Sequence, residues 1–302
     1  MTKAIKQYKF IDLFAGIGGF HLAFHNAGGE CVFASEKDPY ARQTYYENFK
    51  KVSPNIFNND ILSNTTLFND DITNAVVADI PDHDILCAGF PCQPFSQAGY
   101  KKGFNDDHES RGNMFFYIMN ILTEKRPKAF FLENVRHLLN HDAGRTFDII
   151  KQLLEKELGY KIYYKIVKAS DYGLPQHRPR IFIVGFRSED SYKNDFEFPK
   201  PSPLKFNMSD VWKGDCSREI GFTLRVGGKG SGINDRRNWD AYLVDGEVKI
   251  LGVEEGKKMM GYPSNFKFPV TKVQAMKQLG NSVAVTAIEA VALQMIKYLE
   301  GN

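Results

Sequence analysis

The most reactive arrangement in the sequence is a cysteine, Cys92, held between two prolines in the octapeptide GFPCQPFS. Pro91 fixes φ directly before the thiol and Pro94 restrains the turn after it, so the sulfur's position costs little entropy at the moment of reaction. It follows an apolar run, HDILCAGF, that reads as a strand, and open α/β sheets collect their ligands beyond strand ends. The next apolar run, KAFFLENV, closes on Glu133-Asn134, a carboxylate where a general acid could stand. QHRPR sets Arg178 and Arg180 two residues apart, on one face if that stretch is extended. Each feature alone has an ordinary explanation: a packed thiol, a capping carboxylate, a surface arginine pair. Together, facing one cleft, they suit nucleophilic catalysis with a thiol and an acid.

A second constellation lies nearer the N-terminus. The run FIDLFA leads straight into GIGG, where Gly16, Gly18 and Gly19 precede a helical pattern. A tight strand-to-helix turn favours residues without a Cβ, and an open helix N-terminus offers unpaired N–H groups. Glu36, at the end of the second strand, could accept from both ribose hydroxyls of an adenosine-containing ligand. Asp60, in NNDIL after a short third strand, could accept from an adenine amino group, with Ile61 against the ring. GIGGFH lacks the last glycine of GxGxxG, and the acidic Asp12 precedes the turn. Both favour a cofactor without a pyrophosphate, such as S-adenosylmethionine, over a nicotinamide dinucleotide.

Strand-like runs alternate with helical patterns through the first 190 residues or so, and among the latter Asp38-Pro39 is a helix start. The expected fold is α/β, with a doubly wound, mostly parallel, Rossmann-like sheet covered on both faces. After Arg187 the chain turns Gly-, Pro- and charge-rich with no helical period until VEEGKKMMG and TKVQAMKQ, and a long apolar-faced helix ends it. The expected organisation is therefore a catalytic, cofactor-binding domain over 1–187, a smaller irregular β/loop domain over 188–270, and helices over 271–302 that return to the first. The 302 residues carry a net charge of only +3, yet Phe222 to Trp239 holds Arg225, Lys229, Arg236 and Arg237 against Asp235 alone. Such a loop could follow a polyanion. Four irregularly spaced cysteines suggest reduced thiols and no zinc, and no apolar run suggests a membrane span or a secretion signal.

The chain resembles the DNA cytosine carbon-5 methyltransferases of bacteria and phages over nearly its whole length. DLFAGIGGF, GFPCQPFS, ENV, QHRPR and GNSV are similar to that family's motifs and stand in its order. The resemblance implies S-adenosylmethionine as cofactor, with the homocysteine analogue as product, at a site lined by Phe14, Gly16, Ile17, Gly18, Glu36, Asp60, Ile61 and Pro91. It also implies that Asn281, Ser282 and Val283 reach the cofactor's methionine end. Cys92 would add to carbon 6 of a flipped cytosine, Glu133 would share a proton with ring nitrogen 3, and Arg178 and Arg180 would hold the carbonyl oxygen at carbon 2. The inserted region becomes a target-recognition domain, with Arg225, Lys229, Arg236 and Arg237 meeting double-stranded DNA and Ser96 closing from the other side. A cytoplasmic monomer, working beside a cognate restriction endonuclease, is the implied setting. A tRNA-methylating branch is the alternative, but its Cys-Phe-Thr signature is absent: Cys216 is followed by SRE. Two departures stand out. Glu254-Glu255 occupies the place of the family's Arg-Glu pair, and the loop after the nucleophile carries His108 and Glu109, to which no role is assigned.

Overall fold

The computed structural model describes residues 7–57, 66–91, 114–190, 192, 194–227 and 230–301. Asp60, Ile61, Cys92, Ser96, His108, Glu109 and Lys229 lie outside the described residues. One sheet is built from β1 (Lys9–Leu13), β2 (Glu30–Ser35), β3 (Phe68–Asn69), β4 (Ile85–Gly89), β5 (Ala129–Val135), β6 (Tyr160–Lys168) and β7 (Pro179–Arg187). Its order is β3-β2-β1-β4-β5-β7-β6. The pairs from β3 across to β5 are parallel, and β7 runs against both β5 and β6. The order reverses between β1 and β4, so a crevice opens beyond their carboxyl ends, where sheets of this kind bind ligands.

The central strands read as mainly apolar runs because helices cover both faces. Alternation still sorts the side chains. Phe10 and Phe131 join the core on one face, while Ile11, Leu13 and Phe130 join the core on the other. The covering helices are α1 (Gly19–Asn26), α2 (Pro39–Phe49), α3 (Met114–Lys125) and α4 (Arg145–Gln152). As expected, Asp38 caps α2, its carboxylate accepting from Tyr40 and Ala41 N–H with Pro39 in the first turn.

The irregular region holds one short helix that its sequence did not announce, α5 (Met208–Trp212), made possible by an Asn207–Asp210 capping box. It also holds a hairpin, β8 (Ala241–Val244) with β9 (Glu247–Ile250), whose Asp245-Gly246 turn has both φ values positive, as two-residue hairpins require. The chain closes with α6 (Val253–Met260), α7 (Lys272–Asn281) and α8 (Val285–Leu299). The stretch Lys272–Leu299 is long and apolar enough by composition to cross a membrane. Here Ile288, Val291, Ala292 and Met295 of α8 are fully buried, in the core that also takes Phe24 of α1.

Candidate active site

The glycine turn shapes the first wall. Beyond β1 the backbone takes left-handed φ at Phe14 (54°), Gly16 (56°) and Gly18 (83°). For a phenylalanine that conformation is costly and marks a constrained, functional turn. Phe14, Gly16 and Ile17 line a cleft of about 650 Å³. Gly18 is set back from it, because a Cβ there would stand 2.2 Å from the Phe49 ring of α2. The absence of a Cβ at Gly18 lets α2 pack this closely. Glu36 also lines the cleft, with Oε2 accepting from Gly16 N–H and Oε1 from Asp38 N–H, each at 2.7 Å. Burial pushes its pKa up, against those two hydrogen bonds.

The third strand corrects one expectation. Asp60 and Ile61 are expected to follow that strand, but the strand paired with β2 is Phe68–Asn69, downstream of both. The strand-end position belongs to Asp71 and Ile72, which line the cleft. Asp71 bridges to Lys37 at 2.6 Å, and Arg42 ties the ends of β2 and β3 together through the carbonyls of Glu36, Phe68 and Asn69. NDIL and NDDIT both contain Asp-Ile, so the signal was present twice, and a two-residue strand is too short for periodicity to choose between them.

Opposite, Pro91, Asn281 and Ser282 line the cleft. Val283 packs behind the wall, where a Cβ on Gly19 would lie 2.5 Å from its Cγ2. The Ser282 hydroxyl pairs with that of Tyr262 at 2.5 Å.

Parallel register puts Gly89 beside Glu133, and antiparallel register puts Val135 beside Arg180. Glu133, 8% exposed, meets Arg180 Nε at 3.0 Å, and both line the cleft. Burial raises the Glu133 pKa while Arg180 and Arg178 pull it down. Asn134 donates to the Phe90 carbonyl at 3.0 Å and so braces the chain one residue before Pro91. Arg178 lines the same cleft, and its guanidinium donates to the backbone carbonyls of Leu224, Gly280 and Ser282. The arginine pair is thus divided, one on the carboxylate and one on the backbone.

In the basic loop, Trp239 is buried and donates to Gly227 O at 3.0 Å, while Arg225, Arg236 and Arg237 stay exposed. Arg237 forms an ion pair with Asp235 at 2.8 Å.

A family model described as C-5 cytosine-specific DNA methylase matches residues 8–223 and 219–297. The chain belongs to that family. The methylase is 40% identical to the Type II methyltransferase M.DsaV of Dactylococcopsis salina, covering 98% of this chain and 88% of the relative. It is 43% identical to M.NlaX of Neisseria lactamica, covering 96% of each. Its fold is also that of DNMT2 of Spodoptera frugiperda, solved as a triple mutant: TM-score 0.70 at 21% identity, over 97% of this chain and all of the other. The protein is therefore a DNA cytosine-5 methyltransferase. At the departure noted above, Glu254 forms an ion pair with Lys257 at 2.8 Å, and Lys257 Nζ donates to Ser264 O at 2.9 Å. Glu255 accepts from Gly252 N–H at 3.0 Å, closing the start of α6.

Proposed function

We propose that the methylase transfers a methyl group from S-adenosylmethionine to carbon 5 of a cytosine flipped out of a short, specific duplex site, through an adduct on Cys92. One observation carries the reading most directly. The buried Glu133–Arg180 pair, the ribose-type carboxylate Glu36 and Pro91, which directly precedes Cys92, all line one cleft. The cleft's volume suits a ligand of the cofactor's size. Glu36 would take the ribose, Asp71 and Ile72 the adenine, and Asn281 and Ser282 the methionine end, with Phe14 against the adenosine. When bound, the cofactor supplies an electrophilic methyl group.

The protein's own residues prepare the base to receive it. Carbon 5 of cytosine is too electron-poor to react unaided, and adding the Cys92 thiolate at carbon 6 makes it nucleophilic. Once the methyl group is on carbon 5, loss of the carbon-5 proton to a base and expulsion of the Cys92 thiolate from carbon 6 restore the aromatic ring and the free enzyme. A free thiol has a pKa of about 8.5, so ionisation at neutral pH needs nearby positive charge or a proton acceptor. Glu133 holds the proton that ring nitrogen 3 takes up, and Arg180 both orients that carboxyl and faces the carbonyl at carbon 2. The exposed arginines of the recognition loop meet the duplex, with Ser96 and Lys229 joining them. Domains over 1–187, 188–270 and 271–302, a cytoplasmic monomer and a cognate endonuclease complete the proposal.

The test combines label transfer with trapping. Tritiated S-adenosylmethionine should label duplex DNA and leave total tRNA unlabelled. Duplexes carrying 5-fluorocytosine at the site mapped by bisulfite sequencing should become irreversibly linked to the native enzyme and not to Cys92→Ser. Label in tRNA alone, or a Cys92→Ser variant that still methylates, would overturn the proposal.

A further inference from the structure

Arg178 is 2% exposed and sits where three parts of the chain meet. Nη1 donates to Leu224 O at 3.0 Å, in the recognition region. Nη2 donates to Gly280 O at 3.1 Å and to Ser282 O at 2.5 Å, in the segment that ends α7 and walls the cleft. Two residues earlier Gln176, fully buried, repeats the pattern: Oε1 accepts from Leu224 N–H at 3.0 Å and Nε2 donates to Met259 O at 2.9 Å. The backbones themselves nearly touch, since a Cβ on Gly280 would lie 2.8 Å from both C and O of Arg225. Leu224 thus has both its N–H and its C=O held by side chains of the stretch that leads into β7.

This arrangement gives one rigid fork to two sites. Carbonyl acceptors hold a guanidinium in a fixed plane, so moving Gly280 and Ser282 moves the group that fixes Leu224. Arg225, next in the chain, presents an exposed side chain to any polyanion. We propose that Arg178 is a positioning residue through which cofactor binding and DNA binding are coupled: ordering Ser282 on the cofactor orders the recognition segment from Leu224, and the reverse. The inference rests on the reading that the cofactor touches Ser282 and DNA meets Arg225. Coupling of this kind is reciprocal and commonly worth 5- to 150-fold in affinity in proteins generally.

The experiment measures that factor. Binding of S-adenosylhomocysteine by calorimetry, with and without a short duplex carrying the bisulfite-mapped site, should give at least tenfold tightening in the native protein. Duplex binding by fluorescence anisotropy, with and without S-adenosylhomocysteine, should return the same factor. Folded Arg178→Met should reduce it to within twofold, and Arg178→Lys should recover part of it. A structural role alone would lower stability and leave the factor intact. Hydrogen exchange needs no variant: in the native protein, S-adenosylhomocysteine alone should slow the amides of residues 222–227 at least fivefold. Native protein that binds S-adenosylhomocysteine but shows neither tightening nor protection overturns the coupling and leaves the proposed function standing. Folded Arg178→Met with a native-sized factor also overturns it. Failure to bind S-adenosylhomocysteine at all sinks both.

Discussion

Glu133 shows how one residue's environment sets its chemistry. Desolvation favours the protonated carboxyl and the two arginines favour the carboxylate, and burial wins, so the pKa rises. The sign of the linkage follows. A folded-state pKa above the unfolded value means that the native state binds the proton more tightly, so stability contributed at low pH is lost as pH rises through the folded pKa. Glu133→Gln, which keeps the shape and an acceptor without the ionisation, should match native stability near pH 4. Its advantage in thermal melting should then grow as the pH is raised toward 7, while methyl transfer at neutral pH falls by roughly 10²- to 10⁴-fold, as for other lost general acids. Melting curves that differ by the same amount at every pH would refute the assignment. The spacing of Arg178 and Arg180 marked them as a pair, but which of them meets this carboxyl is set by the pairing of β5 with β7.

At the scale of elements, the sheet decides which carboxylate stands beside Glu36 at the cleft. β3 is two residues long, and its pairing with Ala34 and Ser35 of β2 delivers the chain to Asp71. Arg42 and the Lys37–Asp71 bridge then fasten that end beside Glu36. Asp71→Ala should weaken S-adenosylhomocysteine binding at least tenfold, consistent with about 1.5–3 kcal/mol for a hydrogen bond to a charged group, whereas Asp60→Ala should change it by less than twofold. Calorimetric titration of the two variants separates them, and the opposite ranking would return the role to Asp60. Helix starts, by contrast, were open to reading from the chain alone. Asp38-Pro39 caps α2 because capping needs only the residue itself and the three that follow.

At the scale of the molecule, the described residues of the proposed recognition region share a core with the sheet. Met208, Val211, Leu224, Trp239 and Tyr242 belong to the same buried cluster as Phe131, Ile288 and Val291. Both tryptophans, Trp212 and Trp239, lie in that region, while the long strands and helices lie outside it. Urea unfolding followed by tryptophan fluorescence should therefore coincide in midpoint with unfolding followed by far-ultraviolet circular dichroism. Two separated midpoints would show that the recognition region melts as an independent unit. A shared core also gives the coupling proposed for Arg178 a rigid path between the two halves.

The sequence alone determined the alternation of strands and helices, the glycine turn after β1, the framed cysteine and the strand-end Glu133. Each of these follows from rules that act over a few neighbouring residues: periodicity, capping, φ restriction and the absence of a Cβ. Tertiary structure alone decided which Asp-Ile pair follows β3, that a Cβ at Gly18 would meet the Phe49 ring, and that Arg178 ties together backbone carbonyls from two distant segments. The Arg178–Ser282 contact joins residues 104 apart in the chain. A side chain with five donors will point wherever the packed backbone leaves carbonyls unpaired, and no local pattern records where that will be.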